Sequence, residues 1–114
     1  MARGPLRGEV WMVDLSPTRG HEQAFVRPAV VVSSDSFNRS AASLVMVLPI
    51  TRTKRGIPFH LEVRAPEGGL RSTSYVLCDQ IRTVAKERLG ARRGEMTAGT
   101  MHRIVERLRV LLDL

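Results

Sequence analysis

An arginine fixed by a following proline at the mouth of an apolar run is the first place where this sequence could do chemistry. The segment Gly20-His21-Glu22-Gln23-Ala24-Phe25-Val26-Arg27-Pro28 leads into Ala29-Val30-Val31-Val32. Proline confines the residue before it to extended backbone, so Arg27 enters the strand with its direction set. A guanidinium presented this way can hold a phosphate through two parallel charge-assisted hydrogen bonds. Glu22 lies five residues earlier and can fold back toward Arg27. Read alone, that pair is an ordinary surface ion pair worth under ~1 kcal/mol. His21 carries an imidazole whose unperturbed pKa of about 6.5 suits proton transfer. A second segment, Leu48-Pro49-Ile50-Thr51, ends an apolar run and is followed by Arg52, Lys54 and Arg55. That sets a hydroxyl beside three cations, although threonine is common at strand ends and basic loops are common on basic proteins. In an antiparallel barrel the start of one strand and the end of the next can share a rim. Arg27 and Thr51 would then converge, with 51–58 as a flap.

Other chemistries find less support. The histidines are His21, His60 and His102, and no two share a metal-ligand spacing. His60 and Glu62 share a strand face, but as an exposed, solvated pair, so no metal site is expected. Cys78 has apolar residues before it and nothing nearby to lower a thiol pKa, which reads as buried packing. No Gly-rich phosphate cradle is present, and Gly68-Gly69 reads as a hairpin turn.

The elements that must position Arg27 and Thr51 follow from periodicity. Residues 8–15 alternate, which predicts a strand with Trp11 and Val13 inward. Residues 16–27 form a polar loop opened by Ser16-Pro17. Residues 28–34 are a β-branched run, hence a strand buried on both faces, with Pro28 at its first position because it cannot donate to a ladder. A loop or short helical turn spans 35–43, and a third strand spans 44–50. Residues 59–65 alternate with Phe59, Leu61 and Val63 inward and His60, Glu62 and Arg64 outward. A turn covers 66–73, and 74–85 supplies one bent strand or two short ones. After Thr97 the period becomes helical, with Met101, Ile104, Val105, Leu108, Leu111 and Leu112 on one stripe. Thr97 serves as N-cap, without the usual acid at the third position, which is Thr100. Five to seven short strands and one amphipathic C-terminal helix predict a small curled barrel, mainly β, closed at one side by the helix.

Composition bounds the class. The 114 residues amount to one domain, 1–114, large enough to bury a core unaided. A single cysteine allows no internal disulfide, and the N-terminus has no secretion-signal pattern. The apolar runs are too short to span a bilayer, so a soluble cytoplasmic protein is expected. The net charge is +7, split +4 and +3 at residue 57, so the charge belongs to the folded body and not to a tail. Sixteen of the 18 basic residues are arginine, whose planar fork suits phosphate. Nucleic acid or an acidic protein is the natural partner; a merely soluble, arginine-rich surface fits the charge equally well.

The stretch Gly8–Pro28 resembles the opening signature of the MazF/PemK family of toxin endoribonucleases. It supplies in order Gly8, Trp11, Asp14, Pro17, Gly20, Glu22, Arg27 and Pro28. Residues 49–63 resemble the family's Pro-hydrophobic-Thr step and flap, and Asp79-Gln80-Ile81-Arg82-Thr83 resembles a further segment. The likeness runs over about residues 8–112. It implies an SH3-like, CcdB/PemK-type barrel acting as a homodimer. It also implies cofactor-free, sequence-specific cutting of single-stranded RNA to 2′,3′-cyclic phosphate and 5′-hydroxyl ends, and inhibition by an acidic, MazE-like antitoxin. The family's catalytic arginine and threonine map onto Arg27 and Thr51, and its loop glutamate onto Glu22. Phe25 and the strongly basic flap depart from a typical member.

In such a reaction the ribose 2′-OH attacks its own phosphodiester, so charge must be stabilised and protons moved. Arg27 and Thr51 suit the first task. A guanidinium holds its proton firmly and is a poor base, so Arg27 leaves proton transfer to Glu22, His21 or solvent. RNA phosphates would meet Arg52, Lys54 and Arg55, with Gln80 and Arg82 near the same rim. With only five Phe, Trp and Tyr residues, extensive base stacking is not expected. Two rivals keep the barrel but lose the chemistry: a CcdB-like protein that poisons gyrase by contact, and a small barrel that binds nucleic acid without cutting it.

Overall fold

The computed structural model describes residues 4–17 and 25–114. Seven strands form a curled antiparallel sheet: β1 (Glu9–Asp14), β2 (Val26–Val31), β3 (Leu44–Thr51), β4 (His60–Val63), β5 (Ser74–Leu77), β6 (Arg82–Ala85) and β7 (Leu89–Glu95). A short helix α1 (Asp35–Arg39) joins β2 to β3, and α2 (Ala98–Leu112) ends the chain. The path runs β4-β5-β3-β2-β1-β7, with β6 also paired to β3. β3 is the hub. One edge meets β2, while the other meets β6 along Leu44–Val47 and β5 at Ile50 and Thr51.

Both prolines fall where a ladder is interrupted. Val32 N–H donates to Met46 O of β3 at 2.9 Å. The two-residue alternation of antiparallel bonding aims position 28 at the same neighbour, and there Pro28 has no N–H. The β2–β3 pairing stops one residue earlier, at Ala29 opposite Pro49. Pro49 in turn occupies the gap between β6 and β5. Pro28 is therefore the third residue of its strand, not the first. It faces Met12 of β1, whose ladder does not need its N–H.

β2 is buried on both faces, as its β-branched run implies. Val30 joins one apolar cluster with Val10, Leu48, Ile50, Val76 and Ile104. Ala29 and Val31 join another with Val13, Val45, Val47 and Val84. β1 departs from simple alternation because its pairing with β7 is bulged between Val10 and Val13. Both of those valines are fully buried. Glu9, also buried, accepts hydrogen bonds from Leu6 N–H (2.8 Å), Trp11 Nε1–H (3.2 Å) and Arg92 Nε–H (2.6 Å). A carboxylate out of water needs such pairing.

The helix packs through Met101, Ile104, Leu108 and Leu111. Leu112, on that same stripe, is 52% exposed as the last residue of α2. Thr97 caps α2, its hydroxyl accepting from Thr100 N–H at 3.1 Å. The missing capping-box acid comes from another part of the chain. Glu67 Oε2 accepts from Thr97 N–H (2.9 Å) and Thr97 Oγ1–H (3.2 Å). Partial burial acts to raise the pKa of Glu67. Hydrogen bonds from Thr100 and Thr97, with Arg103 nearby, outweigh it and hold the carboxyl below the ordinary glutamate range.

Among the described residues no helix is long and apolar enough to cross a membrane. Glu67→Ala is expected to lower stability by about 0.5–2 kcal/mol at pH 7, as loss of a cap does. Since the folded-state pKa is depressed, this contribution is present above the unfolded value. It fades as pH falls through the folded one. Urea unfolding of wild type and variant between pH 7 and pH 3 checks it; a difference that grows on acidification would overturn the assignment.

Candidate functional site

The β2–β3 register pairs Ala29 with Pro49, and carrying it two residues toward the rim sets Arg27 across from Thr51. Opposed residues point to the same face of a sheet. Because Pro28 ends the ladder, the two are not drawn together by backbone bonds. Instead they line two adjoining cavities. One, of about 440 Å³, is bounded by Arg27 and Thr51 with Arg52, Arg71, Ser72 and Arg93 among its walls. The other, of about 380 Å³, is bounded by Arg27 and Thr51 with Arg55, His60, Asp79 and Gln80.

Arg27 is half-buried and, among the described residues, makes no salt bridge. Its guanidinium stacks 4.3 Å from the centroid of the Phe25 ring. This cation–π contact braces the arginine and leaves its N–H edge for a ligand. The residue that departs from the family pattern thus supports the candidate phosphate-binding group. Thr51 Oγ1 accepts from Thr53 N–H at 3.2 Å. With a lone pair so engaged, the hydroxyl proton is free to be donated outward.

The strand ends are held from behind. Asp14 Oδ1 accepts from Ser16 N–H (2.9 Å), Ser16 Oγ accepts from Phe25 N–H (2.7 Å), and Leu15 N–H donates to Phe25 O (2.8 Å). Arg82 donates to Leu15 O (2.9 Å), and Arg88 to Asp14 O (3.2 Å) and Ser16 O (2.6 Å). The Asp-x-Ser pattern and two distant arginines thereby fix the spacing of β1 and β2 below Arg27.

The other residues singled out in the sequence divide. Arg52 lines the larger cavity; Arg55 and Gln80 line the smaller. Lys54 is exposed and borders neither, and Arg82 is turned away toward Leu15. His21 and Glu22 lie outside the described residues, with most of the loop that carries them. His60, expected outward, is instead enclosed, its side chain only 3% exposed. It stands across from Leu77, with Nε2 3.3 Å from Asp79 Oδ1 and no hydrogen bond on either ring nitrogen. Alternation along β4 could not show this, because Leu77 and Asp79, which stand beside it, come from a distant part of the chain.

Arg71 and Arg93 escaped the sequence reading. Arg71 lies in a stretch read only as a turn, and Arg93 in a segment with no strand periodicity. Cys78 is buried, and that burial pushes its thiol up to about 11, against a smaller lowering by Arg107 and a smaller raising by Asp79. It is not a nucleophile at neutral pH. Among the described residues no three His, Cys, Asp or Glu side chains gather as a metal-ligand set.

Comparison with known proteins agrees with this arrangement. Residues 6–112 match the family described as PemK-like, MazF-like toxin of type II toxin-antitoxin system. The chain is 39% identical over 113 residues to Endoribonuclease MazF9 of Mycobacterium tuberculosis, covering 95% of this chain and 96% of that one. It is 36% identical over 109 residues to Endoribonuclease EndoA of Bacillus subtilis, covering 95% and 94%. Among solved structures, a mycobacterial endoribonuclease in complex with its cognate antitoxin superposes with a TM-score of 0.80 at 34% identity, covering 96% of each chain. MazF from Deinococcus radiodurans superposes with a TM-score of 0.83 at 27% identity, covering 99% of this chain and all of that one (100%). With the curled sheet, the C-terminal helix and the Arg27–Thr51 rim all in place, the chain belongs to the PemK-like, MazF-like toxins of type II toxin–antitoxin systems.

Proposed function

We propose that this toxin endoribonuclease cuts single-stranded RNA at preferred sequences without a metal ion, leaving 2′,3′-cyclic phosphate and 5′-hydroxyl ends. It works in the cytoplasm as a single domain over residues 1–114, as a homodimer, under the control of a cognate acidic antitoxin. The observation that carries this reading is the shared rim: Arg27 and Thr51 border the same two cavities, on strand ends that Pro28 leaves unzipped.

The 2′-oxygen forms a bond to phosphorus while the bond from phosphorus to the 5′-oxygen breaks. The 2′-OH proton leaves to a base, and the 5′-oxygen takes one up. Negative charge builds on the non-bridging oxygens, and the Arg27 fork and the Thr51 hydroxyl, lining the same cavities, are the groups assigned to meet it. Guanidinium stays protonated at neutral pH, so Arg27 stabilises charge and does not take the proton. Glu22 is assigned the base role, with His21 as the weaker candidate. Arg52, Lys54 and Arg55 supply flap charge for neighbouring phosphates, with Gln80 as a weaker RNA contact; Arg82, bound to Leu15 O, is left to hold the strand end.

Purified protein with a broad set of RNA sequences and excess chelator tests the reading. Cleavage is expected, with 5′-hydroxyl fragment ends found by end sequencing. Arg27→Ala should lower kcat by about 10²-fold or more, the cost of losing one charge-stabilising donor group. Thr51→Ala should cost less, and Thr51→Ser should restore most of it. Intact RNA across the whole set, or an Arg27→Ala variant as fast as wild type, would sink the proposal. RNA binding should also weaken with salt, at a log–log slope near −3.5 for about five phosphate contacts. A flat response would rule out the electrostatic mode of binding.

A further inference from the structure

The larger cavity holds more positive charge than a scissile phosphate needs. Arg27, Arg52, Arg71 and Arg93 all line it, with the hydroxyls of Ser72, Ser74, Thr51 and Thr53, and no acidic side chain among the described residues does. Four guanidiniums facing one space repel one another unless an anion sits between them. A single phosphodiester carries one negative charge, which Arg27 alone can balance.

Two of these arginines are brought together by backbone contact. Gly69 lies at φ +70°, and a Cβ there would fall 2.1 Å from Arg93 O. A Cβ on Gly94 would fall 2.7 Å from the carbonyl carbon of Gly68. Only glycine at these positions lets the turn at Glu67–Gly69 lie directly on β7. The contact carries Arg71, two residues beyond Gly69, to the same cavity as Arg93. Arg93 is anchored there: it donates to Gly69 O at 2.9 Å and to Met12 Sδ at 3.4 Å. Three of its five N–H groups remain for a ligand. Arg71 is exposed and makes no hydrogen bond or ion pair among the described residues.

We propose that Arg71 and Arg93 form a second phosphate subsite that grips the RNA phosphodiester next to the one being cut. This rests on the endoribonuclease reading above and extends it to the placement of the strand. The cavity is continuous with Arg27 and Thr51, so a chain whose scissile phosphate lies on that pair runs on between Arg71 and Arg93. An acidic peptide could also satisfy the charge. Continuity with the Arg27–Thr51 rim favours RNA.

The test uses an RNA of mapped cut site and copies of it carrying one neutral methylphosphonate at each linkage in turn. Arg71→Ala and Arg93→Lys are compared with wild type; the lysine keeps the charge but loses the fork. For Arg71→Ala, KM should rise about tenfold, with a smaller change in kcat. The log–log salt slope of binding, measured on RNA with a 2′-deoxy sugar at the cut, should become shallower by about 0.7. One methylphosphonate position beside the cut should weaken wild type by about tenfold and Arg71→Ala by less than about twofold, the mark of a shared contact.

A wild type that cuts RNA while both variants keep its KM, its salt slope and its methylphosphonate pattern would overturn the subsite and leave the nuclease reading standing. If the variants lost affinity only for polyglutamate, with RNA unaffected, a protein partner would replace RNA as occupant. If wild type cut nothing, the nuclease reading would fail by itself. The binding slope would still decide the subsite, since a slope shared by wild type and Arg71→Ala overturns it.

Discussion

The site depends on an N–H that is absent. β2 and β3 are in register as far as Ala29 and Pro49, and the same register carried on would add two more pairs. Pro28 prevents them, because the position that would donate across the gap has no proton to give. The strand ends separate at the rim, and the cavities open on either side of Arg27 and Thr51. The restriction that proline places on the preceding residue also fixes the backbone of Arg27. One residue therefore both orients the guanidinium and makes room for what it binds.

An opening of this kind needs a frame that does not close over it. β3 supplies the stiffness, since its two edges are shared among β2, β5 and β6, and Val45 and Val47 enter one apolar cluster while Leu48 and Ile50 enter the other. The ladder bonds that Pro49 cannot make fall where the outer edge changes partner, so that proline disrupts no pairing. Below the rim, Arg82 and Arg88 hold the carbonyls at the end of β1. Arginine is abundant in this chain, and its use divides by environment. Arg82 and Arg88, turned onto backbone oxygens away from both cavities, are structural; Arg52 and Arg71, which meet open space, are available to an anion, and Arg93 is anchored at one end with N–H groups to spare.

That division explains what could be read from residues alone. The Thr51 strand end and the helix capped by Thr97 are local signals, and both appeared where the sequence placed them; Arg27, read as the last loop residue, is instead the second residue of β2. Arg82 reads as a weaker RNA contact beside the flap arginines, because no one-dimensional pattern shows that it reaches Leu15, 67 residues away. β7, with two glycines and two arginines in seven residues, has no strand periodicity. It forms because β1 offers it an edge and because Gly94 admits the turn at Glu67–Gly69. The Gly68-Gly69 pair was legible as a turn but not as a point of backbone contact. Its second use brings Arg71 into view of Arg93. His60 was misplaced for a similar reason: alternation describes two faces of a strand and says nothing of segments that later fold over one of them.

The two cavities that meet at Arg27 and Thr51 differ in kind. One sets Arg27, Arg52, Arg71 and Arg93 beside hydroxyl residues and apolar Val26, Ile50 and Leu70, with no carboxylate, amide or imidazole among the described residues. The other sets Arg27 and Arg55 beside Asp79, Gln80 and the enclosed His60. A chain of phosphates is uniform in charge, whereas nucleobases differ in their donors, acceptors and apolar faces. The first environment suits the uniform part of a nucleic acid, and the second suits the variable part. Under the proposed reading, a strand laid across the pair meets unlike surroundings before and after the cut. That asymmetry would give the strand a direction, which the proposed cleavage at preferred sequences requires.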